Sequence, residues 1–71
     1  MKMYSIVVRD GREVVAKSVK EGLAEAVSFG RRKSLEGNRI TIYDAVQDAN
    51  GDILHINKVL TMVMPKETPY V

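Results

Sequence analysis

Residues 53 to 64, Ile-Leu-His-Ile-Asn-Lys-Val-Leu-Thr-Met-Val-Met, constrain this chain more than any other stretch. The run is rich in β-branched and apolar residues and reads as one long strand. A strand sends alternate side chains to opposite faces, so Leu54, Ile56, Leu60, Met62 and Met64 share one face. Ile53, His55, Asn57, Val59, Thr61 and Val63 share the other, and that face is apolar or β-branched towards its end. A single helix blankets only one face of a small sheet. The other face needs water, a partner or a second copy of the chain. Association through Val59, Leu60, Thr61, Met62, Val63 and Met64 is therefore expected, with a homodimer as its simplest form.

Size strengthens that expectation. Seventy-one residues make one domain, and a chain of this length buries only about 60% of the surface it exposes when unfolded. Small domains compensate with disulfides, metals or oligomerisation. The chain has no cysteine and one histidine, which excludes disulfides, thiolate zinc sites and a cysteine nucleophile. No cofactor or metal is expected. The net charge of +2 is too small to imply nucleic acid by itself, although a pI near 9.1 permits it. The N-terminal run Met1 to Val8 is broken by Arg9 and Asp10 and reads as neither a signal peptide nor a membrane span. The expected location is the cytoplasm.

Met3 to Arg9 alternates as a strand, with Tyr4, Ile6 and Val8 on one face. Asp10-Gly11 signals a type I′ hairpin turn, and Arg12 to Lys17 returns as a second strand. Ser18-Val19-Lys20-Glu21 fits a capping box, which predicts a helix from residue 19 or 20 to Leu35. Taking Leu23 as the centre of its buried face, Val27, Gly30 and Ser34 lie within about 40°, Ala26 about 60° away and Phe29 about 120° away. Glu21 and Glu25 at the start and Arg31, Arg32 and Lys33 at the end complement the helix dipole. Gly37-Asn38 closes the helix. Arg39 to Gln47 is a third strand, and Asn50-Gly51 marks the turn into the fourth. The expected architecture is α+β, in the order β-β-α-β-β: a four-stranded antiparallel sheet with one helix packed on one face. Residues 1 to 64 form the domain and 65 to 71 a C-terminal tail.

No motif names a reaction. The Asp48-Ala49-Asn50-Gly51-Asp52 cluster has calcium-like chemistry, but an EF-hand loop wants glycine sixth and a glutamate twelfth. Here glycine comes fourth and the twelfth residue is Val59, so the cluster is a turn. No glycine-rich phosphate loop precedes the helix. His55 lacks an evident base, nucleophile and orienter set, with Asp44 the nearest candidate carboxylate across the turn. Phe29, Arg31, Arg32, Lys33, Arg39 and Tyr43 are the candidate partner-binding residues, since aromatics and arginine are enriched in binding hot spots. Arg31, Arg32 and Arg39 have the charge to converge on an anion.

Tyr4-Ser5-Ile6-Val7-Val8, the Asp10-Gly11 turn, Ala16-Lys17-Ser18 and Glu25-Ala26-Val27 resemble the strand-strand-helix unit of the AP2-like arms of phage-type integrases. The likeness covers the first half of the chain. Those arms bind DNA with their sheet and carry a further strand before the helix, which this sequence lacks.

Taken together, these features favour a small non-enzymatic protein that occupies a partner surface as a homodimer, such as an inhibitor or phage-type accessory protein. The alternatives are a nucleic-acid-binding module using the basic helix end and open sheet face, or a dimer sequestering a small anionic ligand. No membrane partner is expected.

Overall fold

The computed structural model describes residues 3–63; Met64 and the expected tail at 65–71 lie outside them. The elements are β1 (Met3–Asp10), β2 (Glu13–Lys20), α1 (Leu23–Ser34), β3 (Arg39–Gln47) and β4 (Ile53–Val63). One antiparallel sheet has the order β2-β1-β3-β4, with the helix inserted between β2 and β3. The expected β-β-α-β-β architecture is the one observed. Among the described residues no helix is long and apolar enough to cross a membrane.

Alternation along the central strands builds the core. Ile6 and Val8 of β1 pair with Ile42 and Ile40 of β3, and all four are fully buried beneath Ala26 of the helix. Tyr4, Ala16, Val27, Phe29, Leu60 and Met62 pack around them. The helix meets this surface through Ala26, Gly30 and Ser34, a stripe of small residues spaced by four. Small side chains let the helix axis come close to the sheet. Ser34, fully buried, satisfies its hydroxyl by donating to the Arg31 carbonyl at 2.8 Å.

Gly30 marks the closest approach. A Cβ built there would meet Met62 Cε at 2.7 Å and Ile40 Cγ2 at 2.8 Å. Alanine would gain about 1 kcal/mol of helix propensity, but Ile40 is fully buried and has nowhere to move. Overpacking of this kind costs about 1–3 kcal/mol. Urea unfolding of Gly30→Ala is expected to show a net loss of stability; a gain would mean the helix has slack above Ile40.

Local details depart from the sequence reading. Strand β2 continues through Lys20, so Ser18 pairs with Ile6 in the sheet and does not cap the helix. The helix starts at Leu23 with Gly22 as an extended N-cap that makes no side-chain cap bond. Sheet pairing along β1 satisfies three more residues than the capping box would have. Leu23, taken as the centre of the buried face, is 41% exposed because it stands at the helix's first turn. The first hairpin is not type I′. Its two-residue loop is Gly11-Arg12, and only Gly11 has positive φ, at 64°, which is the sign pattern of a type II′ turn with glycine first.

The second hairpin is tied by Asp48. Its Oδ1 accepts from the Asn50 and Asp52 backbone N–H groups, both at 2.9 Å, and its carbonyl accepts from Gly51 N–H at 3.0 Å. Gly51 takes φ 89°, the left-handed conformation that closes such a loop. Asp48 is thereby spent on its own turn.

Strand β4 does not alternate simply. Its register against β3 shifts twice, leaving Val59 and Ile56 as extra residues. Between these bulges Asn57 lies opposite Asp44 and Lys58 opposite Tyr43. Uninterrupted alternation would have placed Lys58 with Leu54 and Leu60 on the helix side. The bulge at Val59 turns it to the other face.

Candidate anion-binding sheet face

The sheet face away from the helix carries residues set by register. Strand β1 supplies Met3, Ser5, Val7 and Arg9, and β3 supplies Arg39, Thr41, Tyr43 and Ala45. Their partners on the edge strands are Val14, Lys17 and Val19 on β2, and His55, Lys58, Thr61 and Val63 on β4. Four cations therefore stand on this face: Arg9, Lys17, Arg39 and Lys58. The described carboxylates lie elsewhere. Asp10, Glu13 and Asp44 alternate to the helix side, Glu21, Glu25 and Glu36 belong to the helix and its flanks, and Asp48 and Asp52 to the distal turn. The open face therefore carries cations without a described carboxylate, while the helix side mixes Asp10, Glu13 and Asp44 with Lys20.

Three of these cations, Arg9, Arg39 and Lys58, gather with Arg12 of the first turn in one shallow cleft of about 470 Å³, lined also by Gly11, Thr41, Tyr43 and Thr61. Its floor is Thr41, 5% exposed. Arg9 Nη1 reaches the Thr41 hydroxyl at 3.5 Å, a long contact that leaves most of the guanidinium's donors for solvent or a ligand. Arg9 and Arg39 are direct cross-strand partners. Like charges in that position are unfavourable, and an anion between them would remove the repulsion. Three guanidinium forks (Arg9, Arg12 and Arg39), the Lys58 ammonium and the hydroxyls of Thr41 and Thr61 suit the tetrahedral oxygens of a phosphate.

Beside the cleft the chain has built an unforeseen polar cluster. The His55 ring stacks on Tyr43 with centroids 4.3 Å apart and planes 2° from parallel. His55 Nε2 lies 3.0 Å from Ser5 Oγ. His55 belongs to β4 and Ser5 to β1, so the ring spans β3, where Ala45 opposite His55 leaves room for it. A histidine in contact with a serine hydroxyl invites a nucleophile reading. Ser5 is only 5% exposed, however, too enclosed for a substrate carbonyl to reach. Asp44, the carboxylate proposed to orient the histidine, pairs with Tyr4 and Asn57 on the opposite face. Among the described residues no group of three or more His, Asp and Glu side chains is placed to hold a metal.

The sequence-derived candidates divide between two sides of the molecule. Arg39 and Tyr43 line the cleft. Phe29, Arg32 and Lys33 form a separate depression on the helix, and Arg31 lies by Leu23, Ala24, Val27 and Ser28 on the helix's other flank. Arg31, Arg32 and Arg39 do not converge, because the sheet separates Arg39 from the helix. Phe29 is not a free aromatic: it is half-buried against the core, with Lys20 Nζ 5.4 Å and Lys33 Nζ 5.9 Å from its ring centroid. Strand β2 extends far enough to cover the flank that helical geometry alone assigned to solvent. Phe29→Ala is accordingly expected to cost the fold about 1–3 kcal/mol in urea unfolding, below the range for a fully buried phenylalanine. A change near zero would return Phe29 to the surface.

Of the residues expected at a β4 interface, Leu60 and Met62 are half-buried against the chain's own core, while Val59, Thr61 and Val63 are exposed. Arg9, Arg12, Lys17, Lys58 and Thr41 were not singled out from sequence. Comparison with protein-family models, with curated proteins and with solved structures gave no match.

Proposed function

We propose that this chain is a non-enzymatic binding protein whose open sheet face takes the phosphate backbone of a nucleic acid. The observation that carries the reading is an open face on which register places four cations and no described carboxylate, the described carboxylates standing on the helix side, the helix and the distal turn. A net charge of only +2 conceals this arrangement. Phosphate contacts of this kind supply affinity and orientation without reading sequence. Thr41 and Thr61 add hydroxyl donors within the cleft, and the exposed edge of the Tyr43–His55 stack offers an aromatic border beside it. The basic helix end, which points the other way, serves its own dipole and the Phe29 ring.

The test is the salt dependence of binding to a fluorescently labelled oligonucleotide, read by anisotropy. About four phosphate contacts give a slope of log K against log salt near −3 to −4, or roughly 10²-fold weaker binding between 50 and 200 mM salt. Absence of binding at 50 mM salt would overturn the reading. In the same assay His55→Ala is expected to hold affinity within a few-fold, since the ring borders the cleft and carries no reaction. Turnover of a substrate that vanished with His55→Ala while the fold persisted would overturn the non-enzymatic assignment.

A further inference from the structure

The two edges of the sheet are built differently, and the difference has a use. An edge strand exposes unpaired main-chain donors and acceptors, and proteins blunt such edges with charges and bulges. Strand β2 follows that practice: Glu13, Lys17 and Lys20 punctuate it, and its register shifts at Val15. The outer half of β4 does not. From Val59 to Val63 it carries no charge, and from Leu60 to Val63 it runs in unbroken register with Ile42 to Arg39. Val59 is 41% exposed and Val63 55% exposed. One bulge of β4, at Ile56, and its single lysine lie nearer the hairpin tip, and the other bulge, at Val59, stands at the start of this segment. Among the described residues, Leu60 to Val63 is thus the part of the edge with neither charge nor bulge.

We infer that residues 59–63 of β4 pair antiparallel with the same segment of a second copy, joining two sheets into one of eight strands whose cationic clefts lie on the same side. A second copy is the occupant because the segment is complementary to itself. A two-fold axis through Thr61 sets Val59 of one copy opposite Val63 of the other, and Thr61 opposite Thr61, pairs that are favourable across antiparallel strands. No charge meets its like across the axis. Lys58 falls just outside the paired segment. The same axis keeps Leu60 and Met62 on the helix side, where each copy's core already holds part of them.

An antiparallel two-fold runs perpendicular to the sheet, so both open faces point the same way. Arg39 of one copy then stands about 20 Å from Arg39 of the other, from three strand spacings across and about four residues along. One oligonucleotide can reach both clefts, and the second contact becomes intramolecular. This consequence rests on the nucleic-acid reading; the pairing itself does not.

The full chain, studied by sedimentation equilibrium between 1 and 100 μM, is expected to approach twice the 7.9 kDa monomer mass. The chain has no cysteine, so Thr61→Cys introduces one thiol per copy and reports register directly. Oxidation is expected to convert it to a covalent dimer, whereas Ile53→Cys, at the far end of β4, is expected to remain largely uncrosslinked. Val59→Asn with Val63→Asn is expected to yield monomer with retained circular dichroism, weaker oligonucleotide binding and a shallower salt slope. Monomer at 100 μM in the unaltered chain, a dimer that survives the double substitution, or crosslinking that favours Ile53→Cys would each overturn the pairing. A crosslinked dimer that binds no oligonucleotide supports the pairing and removes the nucleic-acid reading alone.

Discussion

Replacing Arg9 and Arg39 together by glutamine is expected to weaken oligonucleotide binding by roughly 30- to 100-fold at moderate salt and to flatten the salt slope by about 2, while leaving the fold as stable as before or slightly more so. The two signs come from one arrangement. The guanidinium groups are direct cross-strand partners at the rim of the cleft, and like charges so placed cost the folded chain a few tenths of a kcal/mol up to about 1 kcal/mol. Glutamine keeps most of the stem that covers Thr41 and removes only the charge. A stabilising arginine would behave otherwise: its loss would lower the urea midpoint. Arg31→Gln with Arg32→Gln, on the helix, supplies the matched control with the same change in net charge. If net charge alone drove binding, both pairs would weaken it equally. If the open face is the site, the helix pair should change affinity by less than about threefold. Equal losses would refute the assignment to the sheet face.

The architecture was readable because its signals are local and redundant. Alternation in Met3–Asp10 and Arg39–Gln47, glycines at both hairpins, and a stretch of small residues between them all agree on a sheet with one helix. The site was much less readable. Its cations come from β1, the first turn, β2, β3 and β4, five places that only the register brings together. Arg9 and Arg39 are 30 positions apart in the chain and became neighbours through a strand order that sequence did not supply. Lys58 was hidden by a bulge. The one trace of it in the sequence is the pair of consecutive polar residues Asn57-Lys58, which interrupts an otherwise alternating run. Phe29 was misplaced for a related reason. Helical angle predicts distance from the buried stripe, but not how far a neighbouring strand reaches, and β2 reaches three residues beyond its expected end. The Ser18 cap failed with it, since one serine cannot both cap the helix and pair with Ile6.

Ile40→Ala is expected to be among the most damaging single substitutions in this chain, and Gly30→Ala is expected to repair part of it. Ile40 is fully buried between β1, β4 and the helix. Truncating it removes apolar contact and leaves a cavity, at about 2–5 kcal/mol. A domain of this size has only about 4–10 kcal/mol in total, so the variant should be partly unfolded near physiological temperature. The cavity has a particular shape, because Ile40 Cγ2 is one of the two atoms that a side chain on Gly30 would strike. Once Ile40 is truncated, the obstruction at 2.8 Å is gone. What remains is Met62 Cε, the end of a flexible side chain that can swing aside. In the Ile40→Ala background Gly30→Ala should therefore gain stability from helix propensity and from filling space, although alone it loses stability. The double-mutant cycle is expected to show a favourable coupling of about 1–3 kcal/mol between residues in contact. The cycle is measured by urea unfolding at a single protein concentration, so that any association contributes equally to all four proteins. Additive effects would mean that the helix does not approach β3 as closely as Gly30 indicates.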